Sequence, residues 1–374
     1  MNIGCVKEIK NNEFRVGLTP DNAASYVREG HRVYIERDAG TGSGFSDEEY
    51  QRAGAEIIPS AEEVWKKSGL MIKVKEPLKE EYAYFREDLI LYTYLHLAAD
   101  KALLDAMLAS GIKGAAYETL QESGGALPLL APMSQIAGRL SIQEGAKYLE
   151  KPFGGPGILL SGVPGTPKAR VVILGAGTVG SNACKIAAGM GADVTILDLN
   201  LERLAELDEL YGSRIQTLYS SPGIIQDALA QADLVIGAVL IPGASAPKLI
   251  RREYLKRMKK GSLIVDVAVD QGGCAETTRV TYHDNPTYTV DGINHYCVGN
   301  MPGAVARTST IALTNATIRY GLQIAGKGLE RAAAENPAIY SSVNTYGGNC
   351  TCKNVCDGFS LEYRAPQKLL GAVA

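Results

Sequence analysis

Over residues 1–130, short apolar runs rich in β-branched side chains alternate with stretches whose apolar positions recur every three to four residues. "RVYIERDAG", "LMIKVKEP", "LILYTYLHL" and "KGAAYET" have the pattern of strands, and "TPDNAASYVREG", "SAEEVWKKSG" and "DKALLDAMLASG" that of helices. Thr19 is placed to cap the first helix and Pro20 to open it, because a threonine oxygen can satisfy a free amide and proline has no amide to leave unpaired. Strands that are apolar along most of their length, alternating with helices, predict a parallel sheet covered on both faces. A helix over about 134–150 follows, and "KPFGGPGILLSGVPGTPKA" then reads as a loop and hairpin ahead of a second unit.

The second unit begins with "ARVVILGAGTVGSNACKIAAGMGADVTILDLN". A buried strand over 171–174 leads into Gly175, Gly177 and Gly180, a helix runs over about 178–190, and the strand "DVTILD" ends on Asp198. G-x-G-x-x-G alone is weak evidence. Between a strand and a helix, with an acid about 20 residues on, it is the fingerprint of a Rossmann dinucleotide site. The glycines let the backbone approach a pyrophosphate at the helix N-terminus. The Asp198 carboxylate would accept from both ribose hydroxyls and repel a 2′-phosphate, which favours NAD over NADP. "RIQTLYS", "ADLVIGAVL" and "GSLIVDVAVD" supply three further strands, with carboxyl ends at Ser220, at Val239 and Leu240, and at residues 267–270.

Composition bounds the picture. With 374 residues, 46% hydrophobic and 21% charged, the chain is long enough for two globular domains. A net charge of −3 carries no footprint for nucleic acid or an anionic membrane surface. No apolar run approaches the roughly 18–20 residues of a membrane helix, and the N-terminus lacks the basic head and apolar core of a secretory signal, so a cytoplasmic protein is expected. Beyond residue 305, "ARTSTIALTNATIRYGLQIAGKGLERAAAEN" reads as one long helix or two in sequence, with a tail long enough to return to the first domain. The expected fold is therefore α/β with two doubly wound domains: a Rossmann domain, 129–305, inserted in a parallel-sheet substrate domain, 1–128 and 306–374. Two chain crossings would suit a hinge that closes over substrate. Of the seven cysteines, Cys350, Cys352 and Cys356 form a C-x-C-x3-C string. It lacks paired C-x-x-C halves or nearby histidines, so reduced thiols are expected and a metal is the lesser reading.

Candidate chemistry lies in the first domain. His96 ends "LILYTYLH" in an apolar setting, one of only four histidines; such a residue is more often a satisfied core side chain than an acid/base. Arg15, in "NNEFRVGLTP", could grip a carboxylate with two parallel hydrogen bonds, or be an ordinary surface arginine. Lys75 ends "MIKVK", with Lys73 expected to project from the same face; it could polarise a carbonyl oxygen, and a solvated sheet edge is an equal alternative. Together the three describe a pocket for a small 2-oxo acid. Asp270, read as the end of "IVDVAVD", would face them from the other domain.

"KEIKNNEFRVGLTP", "KVKEP", "TYLHLAA", "PLLAPMSQIAGRLS", "VILGAGTVG", "DVAVDQGGCAET" and "NMPGAVARTST" together resemble the NAD-dependent L-alanine dehydrogenases, in the family's order, from Met1 to about residue 345. The resemblance implies oxidative deamination of L-alanine to pyruvate and ammonia and the reverse reductive amination. It implies that Arg15 and Lys75 bind substrate and that His96 and Asp270 form the acid/base pair. NAD would then contact Ser134, Thr178, Val179, Asp198, Arg203, Ser220, Val239, Leu240, Val267, Ala268, Val269, Asp270, Arg279, Val298, Gly299, Asn300 and Met301, besides the three glycines. It implies a homohexamer without nucleic-acid or membrane partners and without a metal. Only the cysteine-bearing tail departs from the family pattern. Three other readings use many of the same parts: a 2-hydroxy-acid dehydrogenase, the nucleotide-binding subunit of a proton-translocating transhydrogenase, and a non-catalytic dinucleotide sensor.

Overall fold

In a computed structural model, which describes residues 1–239 and 246–369, six short strands of the N-terminal part pair in parallel. They are β1 (Asn2–Cys5), β2 (Arg32–Glu36), β3 (Glu56–Ile58), β4 (Leu70–Ile72), β5 (Ile90–Thr93) and β6 (Lys113–Ala116), in the spatial order 3-2-1-4-5-6. Every residue of β4 and β5 is buried, which is why those runs read as continuously apolar. Thr19 caps the helix Pro20–Arg28 through the Asn22 amide, as its sequence predicts.

The next seven strands build a second sheet: β7 (Arg170–Leu174), β8 (Asp193–Asp198), β9 (Ile215–Tyr219), β10 (Leu234–Gly237), β11 (Leu263–Asp266), β12 (Thr287–Val290) and β13 (Ile293–Tyr296). The order β9-β8-β7-β10-β11-β13 repeats the arrangement of the first sheet, with β12 antiparallel on the edge. The β12–β13 hairpin turns on Asp291 and Gly292, both at positive φ (53° and 82°). That is the conformation an Asp-Gly turn favours, and the "VDGI" string carried the signal. The chain then returns to the first sheet, where β14 (Val343–Tyr346) runs antiparallel to β6 and β15 (Asn349–Cys350) folds back on it through Gly347 and Gly348.

The chain thus divides into two doubly wound units, Met1–Met133 with Val305–Ala374, and Ser134–Ala304. The first division falls inside the helix Ala131–Tyr148. The stretch after residue 305 is two helices, Ala306–Lys327 and Leu329–Glu335, broken by Gly328 at φ 78°. No hairpin forms in the Pro/Gly-rich linker among the described residues: a short 3-10 turn, Lys151–Phe153, is followed by irregular chain. Its four prolines, at 152, 156, 164 and 167, cannot donate to a ladder. Three strand ends also differ from the pattern-based reading. β4 stops at Ile72 and β5 at Thr93, so Lys75 and His96 lie on the segments that leave them. β11 stops at Asp266, and Asp270 sits beyond it in the 3-10 turn Val267–Gln271.

Candidate active site

In a doubly wound sheet, ligands bind outside the carboxyl ends of the strands, where the strand order reverses. In the first unit that point is β1, which pairs with β2 on one side and β4 on the other. The segments leaving β1, β4 and β5 carry Arg15, Lys75 and His96 respectively. Arg15 is not a surface arginine. It is 2% exposed, and its Nε and Nη2 donate to the two oxygens of Glu13 at 2.7 and 2.6 Å, while Nη1 lies 3.1 Å from the Met133 sulfur. Burial opposes its charge, but the Glu13 carboxylate outweighs it and holds the guanidinium protonated.

Lys73 and Lys75 do not act as a pair. The Lys73 ammonium is fully buried between Glu8 (3.1 Å) and Glu81 (2.9 Å), whose charges overcome the burial that would otherwise strip its proton. Lys75 is half-buried, and its amide donates to the same Glu8 at 3.2 Å. Its carbonyl accepts from Thr93 Oγ1 at 3.0 Å, which ties the segment after β4 to the end of β5.

His96 lies two residues past Tyr94 in the left-handed region, φ 48° and ψ 34°. For a non-glycine residue that conformation needs outside support. Glu118, following β6, supplies it: its carboxylate accepts the amides of Leu95 (3.2 Å) and His96 (2.6 Å). The imidazole stacks on the Tyr94 ring, centroids 5.7 Å apart, and Tyr94 is itself anchored by its hydroxyl to the Leu129 carbonyl at 2.6 Å. His96 Nδ1 is 3.0 Å from Glu76 Oε2, and Lys10 reaches the other oxygen of that carboxylate. Burial would raise the Glu76 carboxyl, but the hydrogen bond and charge of His96, with Lys75 and Lys10, hold it well below the usual carboxylate range. The apolar stretch around His96 therefore has two carboxylates folded onto it from elsewhere in the chain.

In the second unit the glycine loop follows β7. Gly175 is at φ 101°, and a Cβ there would lie 2.8 Å from the Ala238 carbonyl; on Gly180 it would lie 1.8 Å from the carbonyl of Gly175. A Cβ on Gly177 would meet nothing within 4 Å. Two glycines thus serve packing of the loop, and the third leaves open space at the start of the helix Thr178–Gly189, whose first turn carries Thr178, Val179 and Gly180. Asp198 ends β8, its oxygens accepting the amides of Ala176 (2.5 Å) and Asn200 (2.8 Å). Arg203 crosses back to donate to the Ala176 carbonyl at 3.0 Å. Ser220 follows β9, its amide on the Asp198 carbonyl at 3.0 Å, and Val239 follows β10; Leu240 lies outside the described residues.

Val267, Ala268, Val269 and Asp270 form the turn after β11. Exposed Asp270 accepts the Asn300 amide at 3.4 Å, and a Cβ on Gly299 would lie 2.9 Å from its Oδ1, so this turn and residues 298–301 meet. Arg279 lies over the Tyr288 ring at 4.2 Å, joined to the same region through the Thr281–Val298 bridge. Ser134 is in the first turn of Ala131–Tyr148.

Residues 4–137 match the family model of the alanine dehydrogenase/PNT N-terminal domain and 141–353 that of the C-terminal domain. The chain belongs to the alanine dehydrogenase/PNT family. Family members include alanine dehydrogenases of Bacillus subtilis, 55% identical over 99% of this chain and 98% of the relative, and of Methanococcus maripaludis, 56% identical over 99% and 100%. A solved L-alanine dehydrogenase superposes with a TM-score of 0.94 at 49% identity, covering 96% of this chain and 99% of that one. A transhydrogenase from Sinorhizobium meliloti superposes at 0.80 with 23% identity over 94% and 99%, a likeness of fold.

The alanine dehydrogenase fold also brings in residues that sequence reasoning passed over. Glu13 and Glu76 each adjoin a candidate within two positions, so proximity was the available signal for them. Glu8 and Glu118 reach the site only through the pairing of β1 with β4 and of β5 with β6.

Proposed function

We propose that this chain is an NAD-dependent L-alanine dehydrogenase, converting L-alanine to pyruvate and ammonia and running the reverse reductive amination. The observation that carries the reading is the set Arg15, Lys75 and His96 behind the carboxyl ends of three neighbouring strands, in a chain more than half identical to alanine dehydrogenases. The second unit's loop fits a dinucleotide: the space beside Gly177 admits a pyrophosphate to the helix N-terminus. Each Asp198 oxygen accepts one amide and keeps acceptor capacity for a ribose hydroxyl. Bound NAD supplies the acceptor for the hydride leaving alanine Cα, and NADH its donor in the reverse direction.

The protein's own residues do the rest. Arg15 pairs with the substrate carboxylate, its guanidinium plane fixed by the Glu13 fork. His96 takes a proton from the alanine ammonium and passes it to solvent. It then takes one from the water that adds to the iminium carbon and gives that one to the departing nitrogen, while the hydroxyl proton released as the carbonyl forms completes ammonium. Lys75 offsets the charge that develops on the carbinolamine oxygen and on pyruvate. Asp270 takes the second proton-handling role that the family resemblance implies. The same resemblance supports a homohexamer working in the cytoplasm; no helix among the described residues is long and apolar enough to cross a membrane. The test is NADH consumption with pyruvate, with and without ammonium. Ammonium-dependent turnover yielding alanine is expected, and lactate formed in ammonium-free buffer would overturn the reading.

A further inference from the structure

We propose that Glu76 is the positioning residue of His96: its carboxylate fixes the imidazole in the Nδ1–H tautomer, and Lys10 sets how strongly it does so. The inference rests on reading His96 as the acid/base. Glu76 Oε2 lies 3.0 Å from Nδ1 of the ring, and its side chain is 11% exposed against 43% for His96 and 40% for Lys10. An ionised carboxylate can only accept, so Nδ1 must carry the hydrogen, and in the neutral ring the lone pair is left on Nε2. Nε2 is then the atom that meets a substrate proton.

The pieces around this contact leave the ring little freedom. Tyr94 stacks on one face of the imidazole and Glu118 pins the backbone amide beneath it. Pro77 restricts Glu76 itself to extended backbone. The charged and titratable groups around the ring are Glu76, Glu118, Lys75, Lys10 and Tyr94, with Asp100 capping the helix that follows. Glu118 is committed to backbone amides, and Lys75 to the substrate oxygen in the proposed reaction. Glu76 is the carboxylate that addresses the ring. Lys10 shares that carboxylate and draws charge away from the side that faces Nδ1.

Opposite shifts follow for two single substitutions. Alanine deamination needs His96 as a base, so kcat/KM falls on the acid limb of its pH profile. Glu76→Gln keeps the shape and removes the charge: the acid limb should move to lower pH and kcat should fall roughly tenfold or more, as a free ring populates the unproductive tautomer. Glu76→Asp should restore part of kcat. Lys10→Met leaves the whole carboxylate to the imidazole and should move the limb to higher pH. NADH affinity and melting temperature, measured on the same proteins, report any general damage; if Glu76→Gln fails to fold, Lys10→Met decides. An unmoved limb in the folded variants, or both limbs moving the same way, would overturn the proposal. His96→Ala separates this failure from that of the underlying reading. Full kcat without His96 removes the acid/base role altogether, whereas loss of kcat with a silent Glu76→Gln removes only the role of Glu76.

Discussion

Arg15 and Glu13 show how one buried pair serves both folding and recognition. A guanidinium that is 2% exposed is stable there because a carboxylate meets it in a planar fork, and that fork also sets the plane in which a substrate carboxylate would be received. Removing one partner leaves the other as an uncompensated buried charge. Arg15→Ala should therefore lower unfolding stability by about 3–5 kcal/mol in denaturant titrations, beyond its effect on substrate. Arg15→Lys separates the two effects. An ammonium keeps the charge beside Glu13 but cannot present two parallel donors, so the KM for pyruvate should rise at least tenfold while NADH affinity, which depends on the second unit, stays within a factor of two. An unchanged KM in a folded Arg15→Lys protein would remove Arg15 from substrate binding.

The two loops at the switch strands differ in how openly the sequence declares them. The loop after β7 is spelled out because its glycines answer to backbone geometry: Gly180 packs against the carbonyl of Gly175, and Gly177 faces open space. The loop after β1 has no such spelling: its Arg15 is held by Glu13 within the same loop, and the site is completed by Lys75 and by His96, the latter held by Glu118 and Glu76 from neighbouring segments. Periodicity located β2 and β4 to β11 but neither short β3 nor β13, which pairs in parallel with β11. It could not decide where β5 and β11 end, because "TYLH" and "VAVD" continue the apolar pattern after the ladder stops. His96 and Asp270 consequently sit past their strands: His96 directly before the 3-10 turn Leu97–Ala99, its backbone held by Glu118, and Asp270 within the 3-10 turn Val267–Gln271, held by the buried Asp266, which accepts the amides of Ala268 and Cys274. The cysteine tail was legible only as thiols. Cys350 and Cys356 pack as small apolar side chains with Leu95 and Leu97, flanking His96, and burial pushes the Cys356 thiol up to about 12. Within the glycine loop, two neighbouring substitutions should part company. Gly180→Ala puts a methyl group into a carbonyl and should lower the melting temperature by many degrees with loss of soluble protein. Gly177→Ala meets no protein atom, so stability should change by about 1 kcal/mol or less, while NADH affinity drops tenfold or more as the methyl occupies the space left for the pyrophosphate. Equal damage to folding in both would mean that the open space at Gly177 is not a ligand site.

Both units use the 3-2-1-4-5-6 order, and so the fold by itself does not choose among functions. The transhydrogenase likeness at a TM-score of 0.80 makes the same point, since a shared arrangement of sheets is compatible with different traffic of hydride. What separates the readings is whether hydride passes through a small acid. If Arg15, Lys75 and His96 form a substrate site, alanine and pyruvate are obligatory carriers between one dinucleotide and the next. The purified chain, given NADH and an oxidised NAD analogue of distinct absorbance, should then transfer nothing between them. Adding pyruvate with ammonium should start the exchange, because NADH reduces the imine to alanine and alanine in turn reduces the analogue. His96→Ala should abolish that exchange while both dinucleotides still bind. A direct nucleotide-to-nucleotide exchanger would behave in the opposite way, running without the acid and unaffected by its addition. Rapid exchange in the absence of pyruvate, alanine and ammonium would place this chain among the nucleotide exchangers and leave its first unit without a substrate.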